Sequence, residues 1–430
     1  MSWLRLVGRA LAIVVAVLVG LLAGAAAFLG VAALSDRPAL FTLAGLAATA
    51  IATAVGVAVA MRGLSTSGDH HRRVAIPLGM ALVLSLIAAV AILWPLGDPY
   101  QPPATVAGQS MWDLPTGSRL AVMHVPAVGA PRATPIIYLH GGPGISELPE
   151  ATAAFSRLAV DGFDVYLYDQ LGVGRSQRLS DPTGYTVERD VADLEAVRER
   201  IGAARLVLIG HSWGATLAAA YLARYPEHVT RVVFSSPGAL ALAEYGALGV
   251  GIVDRLAPDQ RARLNALLYQ PRALAAWALA QINPRAAHAF AGDRELDARY
   301  DRVFAASAPG LFCDPLLAAR VDARGEGFYA NQVTLADATA PDPRPALRQS
   351  DVPALILKPG CDYLPWRLAI EYRQTLPDAV MVYLPDAGHQ AYLEQPDAYV
   401  AAMRAFLLGQ PPPVPPYEAD APPADYRGAR

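Results

Sequence analysis

The chain has 430 residues, 54% of them hydrophobic and 17% charged, and carries a formal net charge of −3. That length and apolar content allow one large soluble core plus membrane segments, while the mild acidity gives no footing for nucleic acid. No Cys/His cluster has metal-ligand spacing and no phosphate loop or dinucleotide fingerprint occurs, so no metal and no cofactor is expected.

Three apolar stretches occupy residues 10–34, 38–61 and 74–96, with Asp36 and Arg37 between the first two. A hydrocarbon core of about 30 Å needs about 20 residues of helix, and soluble core helices are rarely so long and so uniformly apolar. Residues 1–96 are therefore expected to form a membrane region of about three transmembrane helices, with the lipid bilayer as partner. A cleaved secretory signal would account for the first stretch but not for the other two. Arg5 and Arg9 precede the first span and Arg62, Arg72 and Arg73 join the second to the third, whereas no basic residue follows Leu96 until Arg119. The positive-inside rule holds both basic stretches inside and places the rest of the chain on the extracytoplasmic face of the cell membrane. With no charge within them the spans read as an anchor rather than a transporter. Gly20-x-x-x-Gly24 is a weak helix-packing signal in so Ala/Gly-rich a span.

Residues 97–110, with Pro99, Pro102 and Pro103, form a linker. Beyond it short apolar runs end in glycine loops. Pro135–Leu139 reads as a buried strand running into His140-Gly-Gly-Pro-Gly144, where Gly142 is the residue whose backbone N–H is expected in an oxyanion hole. Leu208–Gly214 reads as a strand ending in Gly-x-Ser-x-Gly and entering a helix, the pattern of a nucleophile elbow, which makes Ser212 the candidate nucleophile and the Trp213 amide the second oxyanion donor. A serine hydroxyl needs a base and an acid to orient that base. Of the histidines after Ser212, only His389 follows a strand-like run, Ala379–Leu384, within a glycine-containing loop, so it is the expected base. The strand-like run Val352–Lys358 leads to Pro359-Gly-Cys-Asp362, and Asp362 is the expected acid. Asp351 and Asp386 read as solvated turn residues, and His140 and His211 as supports for loop backbone. Lys358, the only lysine among 35 basic residues, reads as a sign of coding bias. Cys313 and Cys361 read as two free or buried thiols.

From about Met111 to Leu408 the chain resembles an α/β-hydrolase of the proline iminopeptidase-like group of serine peptidases. The resemblance is carried by His140-Gly-Gly-Pro-Gly144, Asp169-Gln-Leu-Gly-Val-Gly-Arg-Ser176, Ser212-Trp-Gly-Ala-Thr-Leu-Ala218 with Tyr225-Pro-Glu-His-Val229, and Ala387-Gly-His389 followed by Glu394-x-Pro396. It implies the α/β-hydrolase fold, the triad Ser212, Asp362 and His389, and a helical cap after the strand ending near Phe234. Core residues 111–237 and 343–408 then flank a cap over 238–342, and a Pro-rich tail over 409–430 is expected to be disordered. The resemblance further implies cap carboxylates that pair with a substrate's free α-amine. Glu244, Asp254, Asp293, Glu295, Asp297, Asp301 and Glu326 are available, without a motif that selects among them.

The expected activity is a membrane-anchored serine hydrolase that cleaves amide or ester bonds of a small molecule or short peptide, foremost a proline iminopeptidase-like aminopeptidase. A carboxylesterase or lipid-acting hydrolase is the alternative within enzymes. A non-catalytic membrane sensor using the cap pocket is the alternative of another class.

Overall fold

A computed structural model describes residues 3–62, 70–103, 105–247 and 251–429. It divides into two compact units, residues 1–97 with 269–295, and residues 98–268 with 296–430. The expected cap over 238–342 is thus split, because its segment 269–295 packs with the N-terminal helices.

The first unit contains helices Trp3–Ala32, Pro38–Ala60 and His70–Leu93. Val7–Ala32, Pro38–Ala60 and Val74–Leu93 are each long and apolar enough to cross a bilayer, matching the expected spans to within a few residues. Leu18, Leu22, Leu43, Ile51, Leu82 and Leu86 stand exposed along them, as side chains that face lipid tails do. The side chains of Arg5, Arg72 and Arg73 lie outside the described residues. The weak glycine signal is used. A Cβ at Gly20 would sit 2.0 Å from the Thr53 hydroxyl and one at Gly24 1.9 Å from that of Thr49, so at these points the backbone of the first helix lies against threonine side chains of the second.

The second unit is built on one mixed sheet in the order β1-β2-β4-β3-β5-β6-β7-β8. Its strands are β1 (Ser110–Asp113), β2 (Arg119–Val125), β3 (Ile136–Leu139), β4 (Val165–Tyr168), β5 (Leu206–His211), β6 (Val229–Ser235), β7 (Ala354–Pro359) and β8 (Ala379–Leu384). β1 and β2 are antiparallel to their neighbours, and every pairing from β4 through β8 is parallel. The central strands β3 and β5 are buried at every residue, which is why they read as unbroken apolar runs rather than alternating ones. This is the sheet the α/β-hydrolase resemblance implies. The loops after β3, β5, β7 and β8 open at the carboxyl ends of adjacent parallel strands, where open α/β sheets gather their functional groups.

Two expectations are corrected. The tail does not hang free: Tyr417 N–H donates to the Met381 carbonyl, Trp366 Nε1 donates to the Asp420 carbonyl, and Ala429 N–H donates to the Asp362 carbonyl. Its Pro/Ala composition hides two aromatic anchors, Tyr417 and Tyr426, whose rings lie 5.4 and 5.0 Å from that of Trp366. Cys313 and Cys361, read as thiols, form a disulfide across a Cα separation of 5.4 Å, since the cap folds back onto the loop after β7. A cross-link closing 48 residues of chain should contribute about 2–4 kcal/mol. Cys361→Ser is therefore expected to lower the melting temperature, and dithiothreitol to lower that of the wild type alone; equal melting of both proteins without reductant would contradict it.

Candidate active site

Gly210-His211-Ser212-Trp213-Gly214 joins β5 to helix Trp213–Arg224 in a turn with no room for larger residues. A Cβ at Gly210 would lie 2.3 Å from the Gly214 carbonyl, and one at Gly214 2.0 Å from that of Leu139. Between them Ser212 is held at φ 54° and ψ −116°, a conformation that costs on the order of 1–3 kcal/mol and persists only when its surroundings impose it. Ser212 N–H donates to the Ser235 carbonyl, while the Ser212 carbonyl accepts from Ala215 and Gly238, so the strained turn is fastened on both sides. The Trp213 amide is the first of the helix, where N–H groups lack intrahelical acceptors.

His389 and Asp362 meet as expected. His389 Nδ1 lies 2.8 Å from Asp362 Oδ1, both side chains being buried. Because the carboxylate accepts there, the proton sits on Nδ1 and Nε2 keeps its lone pair. His389 and Ser212 line one cavity of about 380 Å³ together with Gly141 and Gly142. Burial lowers the His389 pKa below its ordinary value against the opposing pull of Asp362, so the imidazole is neutral at neutral pH. Asp351 and Asp386 are exposed, and Asp386 pairs with Arg427.

Lys358, set aside in the sequence, is fully buried and belongs to this site. Its Nζ donates to Asp362 Oδ2 at 2.9 Å and to the Leu364 carbonyl at 2.8 Å, while Leu364 N–H donates to Asp362 Oδ1. Burial alone would raise the Asp362 pKa; the Lys358 charge, with the hydrogen bonds from His389 and Lys358, overcomes it and holds the carboxyl well below the usual range. The signal available in the sequence was a lone lysine four residues before the acid on an otherwise apolar strand. Tyr363 was also missed. Its hydroxyl is within hydrogen-bonding reach of Ser212 and its ring centroid lies 4.6 Å from that of His389.

The oxyanion side is equally constrained. Gly141 N–H donates to Glu147 Oε2 at 3.2 Å, which engages that amide, and Gly142, the expected oxyanion donor, lines the same cavity as Ser212. Gly142 has φ +112°, and a Cβ there would lie 2.7 Å from the amides of Gly144 and Ile145. Gln170 braces the loop by donating through Nε2 to the His140 carbonyl and accepting from Trp213 Nε1, which ties the start of this loop to the first residue of the elbow helix. His140 Nε2 accepts from Gln170 N–H, so Nδ1 must carry the proton it gives to the Gly141 carbonyl, and burial lowers its pKa accordingly. His211 instead pairs with Glu147 at 3.1 Å. Burial disfavours its charge, yet Glu147 raises its pKa. Both histidines support loops, as expected.

Of the seven cap carboxylates, Glu244 pairs with Arg344, Asp254 is exposed beside Arg261, Asp293 meets His288, Glu295 binds Arg272, and Asp297 binds Arg178. Asp301 accepts from the amides of Gly325 and Glu326, and its pKa is raised to about 7 by burial. Glu326 differs: it is fully buried, its Oε2 accepts from Ser146 N–H, and its Oε1 has no hydrogen-bond partner. Burial first, then Asp301, pushes its pKa well above the usual range. Ser146 follows Ile145, a cavity-lining residue.

A model of the α/β-hydrolase fold matches residues 134–396, which include every residue of this cluster. The proline iminopeptidase of Heyndrickxia coagulans is 42% identical over 122 residues, 28% of this chain and 41% of the relative. That of Neisseria gonorrhoeae is 37% identical over 133 residues, 31% and 42% of the respective chains. The chain thus spans less than half the length of these curated relatives. Among solved structures, Cfl2 from Burkholderia cenocepacia superposes with a TM-score of 0.52 at 19% identity, covering 72% of this chain and 99% of its own. That likeness speaks to the fold alone.

Removing one partner of a buried ion pair costs about 3–5 kcal/mol. Lys358→Met is expected to lower the melting temperature and to move the acid limb of the kcat/KM–pH profile upward, because Asp362 and His389 both lose a neighbouring positive charge. If neither changes, Lys358 does not set the state of Asp362.

Proposed function

Because the chain belongs to the α/β-hydrolase fold family, we propose that it is a membrane-anchored serine hydrolase that cuts amide or ester bonds through an acyl-enzyme, foremost as a proline iminopeptidase-like aminopeptidase on small peptides. The observation that carries the chemistry is the buried Asp362–His389 pair, which leaves an unprotonated Nε2 in the cavity shared with Ser212. His389 Nε2 takes the Ser212 proton as Oγ bonds to the substrate carbonyl carbon, and the Gly142 and Trp213 amides receive the oxyanion. Collapse breaks the bond to the leaving amine or alcohol, which takes the proton from His389. Water then adds to the acyl-enzyme with His389 again as base, and the acid departs as Ser212 regains its proton.

The aminopeptidase reading is supported by the similarity to proline iminopeptidases and by Glu326. A substrate ammonium reaching its unpartnered oxygen would supply a cation to a carboxyl whose charged neighbours are Asp301, Glu147 and Glu150, and the binding energy would come from relieving that buried carboxyl. One specific observation favours an ester substrate instead: Ile252, Val253, Leu264, Val303, Phe304 and Leu311 give the cavity an apolar wall suited to an acyl chain. The Cys313–Cys361 disulfide supports an extracytoplasmic catalytic domain, since such bonds persist in oxidising compartments.

The test is turnover of prolyl- and alanyl-arylamides beside short-chain aryl esters by wild type, Ser212→Ala and Glu326→Gln. Ser212→Ala is expected to abolish all turnover. Glu326→Gln is expected to raise KM for free-amine arylamides by about 10-fold or more, as the loss of one charge-assisted hydrogen bond implies, with esters little affected. Turnover of esters alone by the wild type would replace the aminopeptidase reading with the esterase one; activity retained in Ser212→Ala would overturn both.

A further inference from the structure

Segment 269–295 follows helix Pro258–Leu268 and runs into the first turn of helix Asp293–Ser307, and both helices contribute residues to the candidate cavity. It forms a hairpin of helices Pro271–Ile282 and Pro284–Phe290 with the composition of neither neighbour. Helix Pro258–Leu268 exposes an Arg263–Asp259 ion pair, as a solvated face does. Between Ala273 and Pro284 no charged residue occurs, and Tyr269, Leu274, Trp277 and Ile282 are exposed, Trp277 by 52%.

What the hairpin touches explains that composition. Asn283 Nδ2 donates to the carbonyl of Ala32, the last residue of the first long helix, and to Asp36. Arg272 Nη1 donates to the Ile92 carbonyl near the end of the third, while its other nitrogens are held by Glu295 and the Phe290 carbonyl. Terminal helix carbonyls lack intrahelical donors, and in a low dielectric an unmet one is costly, so both side chains act as caps. Phe290 joins Phe28 and Phe41 in one aromatic cluster. The hairpin also reaches along the bundle: Leu274, Ala275 and Ala278 share an apolar cavity of about 260 Å³ with Gly24, Thr49 and Ala88. At 1.5 Å per residue, Gly24 lies about 12 Å in from Ala32 and Ala88 about 8 Å in from Leu93.

We propose that residues 269–295 form a fourth membrane element, a re-entrant hairpin seated part-way into the leaflet at the Ala32/Ile92 end of the bundle, with Leu274, Trp277 and Ile282 in contact with lipid tails. The exposed apolar face of helix Pro271–Ile282 continues the lipid-facing surface of the three long helices, and the one charge of that helix, Arg272, is paired with Glu295, while the exposed Arg285 stands in the first turn of the second helix, next to Asn283 at the Ala32 end of the bundle. The inference rests on those helices spanning the membrane, and the experiment keeps the two apart. The full chain is reconstituted in phosphatidylcholine vesicles with or without bromine on the acyl chains. Tryptophan emission is compared among wild type, Trp277→Phe and Trp94→Phe, Trp94 standing exposed just past the third helix. Hydrolysis of a soluble substrate checks that each variant is folded. Bromolipid is expected to quench most of the emission that Trp277→Phe removes. Quenching at Trp94 with none at Trp277 would overturn the hairpin while leaving the spans; quenching at neither would overturn both.

Discussion

A single buried carboxylate organises the site. Glu147 accepts from the Tyr138 hydroxyl at 2.6 Å, from Gly141 N–H and from Gln390 Nε2, and pairs with His211, so it joins the end of β3, the glycine loop after it, the elbow strand and the loop of His389. Burial alone would raise its pKa; His211 and these hydrogen bonds hold it well below the usual range. His211 in turn donates from Nε2 to the His389 carbonyl, which also accepts from Ser236 Oγ, so the backbone of His389 is fixed by the residue preceding Ser212. With both nitrogens facing acceptors, His211 is doubly protonated and the pair carries opposite full charges. Such a pair adds little net stability over apolar residues of the same shape, but taking away either member leaves a bare charge in a dry interior. What it gives here is position.

The same logic recurs at Lys358 and Asp362. Both sites use a buried cation to keep a carboxylate ionised in surroundings that would otherwise protonate it, and in both the carboxylate's remaining lone pairs are met by backbone or side-chain donors. Preorganisation of this kind lets the Asp362 charge act on His389 without water reorganising around it. The strained Ser212 turn is held from the other side, by the close backbone approach at Gly210 and Gly214.

The parts of this arrangement visible in the sequence are those imposed by backbone geometry. Gly210 and Gly214 mark a turn where no Cβ fits, the run of β5 is apolar because both its faces are covered, and the spans announce themselves by length. Ser212, Asp362 and His389 follow from strand order because each lies in the connection after a parallel strand. Lys358 and Glu147 escaped because a charged residue on a buried strand or just before a helix has no local mark of its partner: Glu147 meets Gln390, 243 residues away. The disulfide and the ordered tail escaped for the same reason, since both depend on the cap and the C-terminus returning to the loop after β7. The membership of residues 269–295 was hidden by helical spacing common to cap and membrane helices; only the charge-free exposed face of Pro271–Ile282 distinguished them.

The central claim is that this buried scaffold makes Ser212 the one activated nucleophile of the chain. Reaction of the folded protein with a fluorophosphonate, followed by peptide mapping of the adduct, tests it most directly. The account predicts a single adduct on Ser212, lost when His389 is replaced by alanine; an adduct on another residue, or none on folded protein, would contradict it.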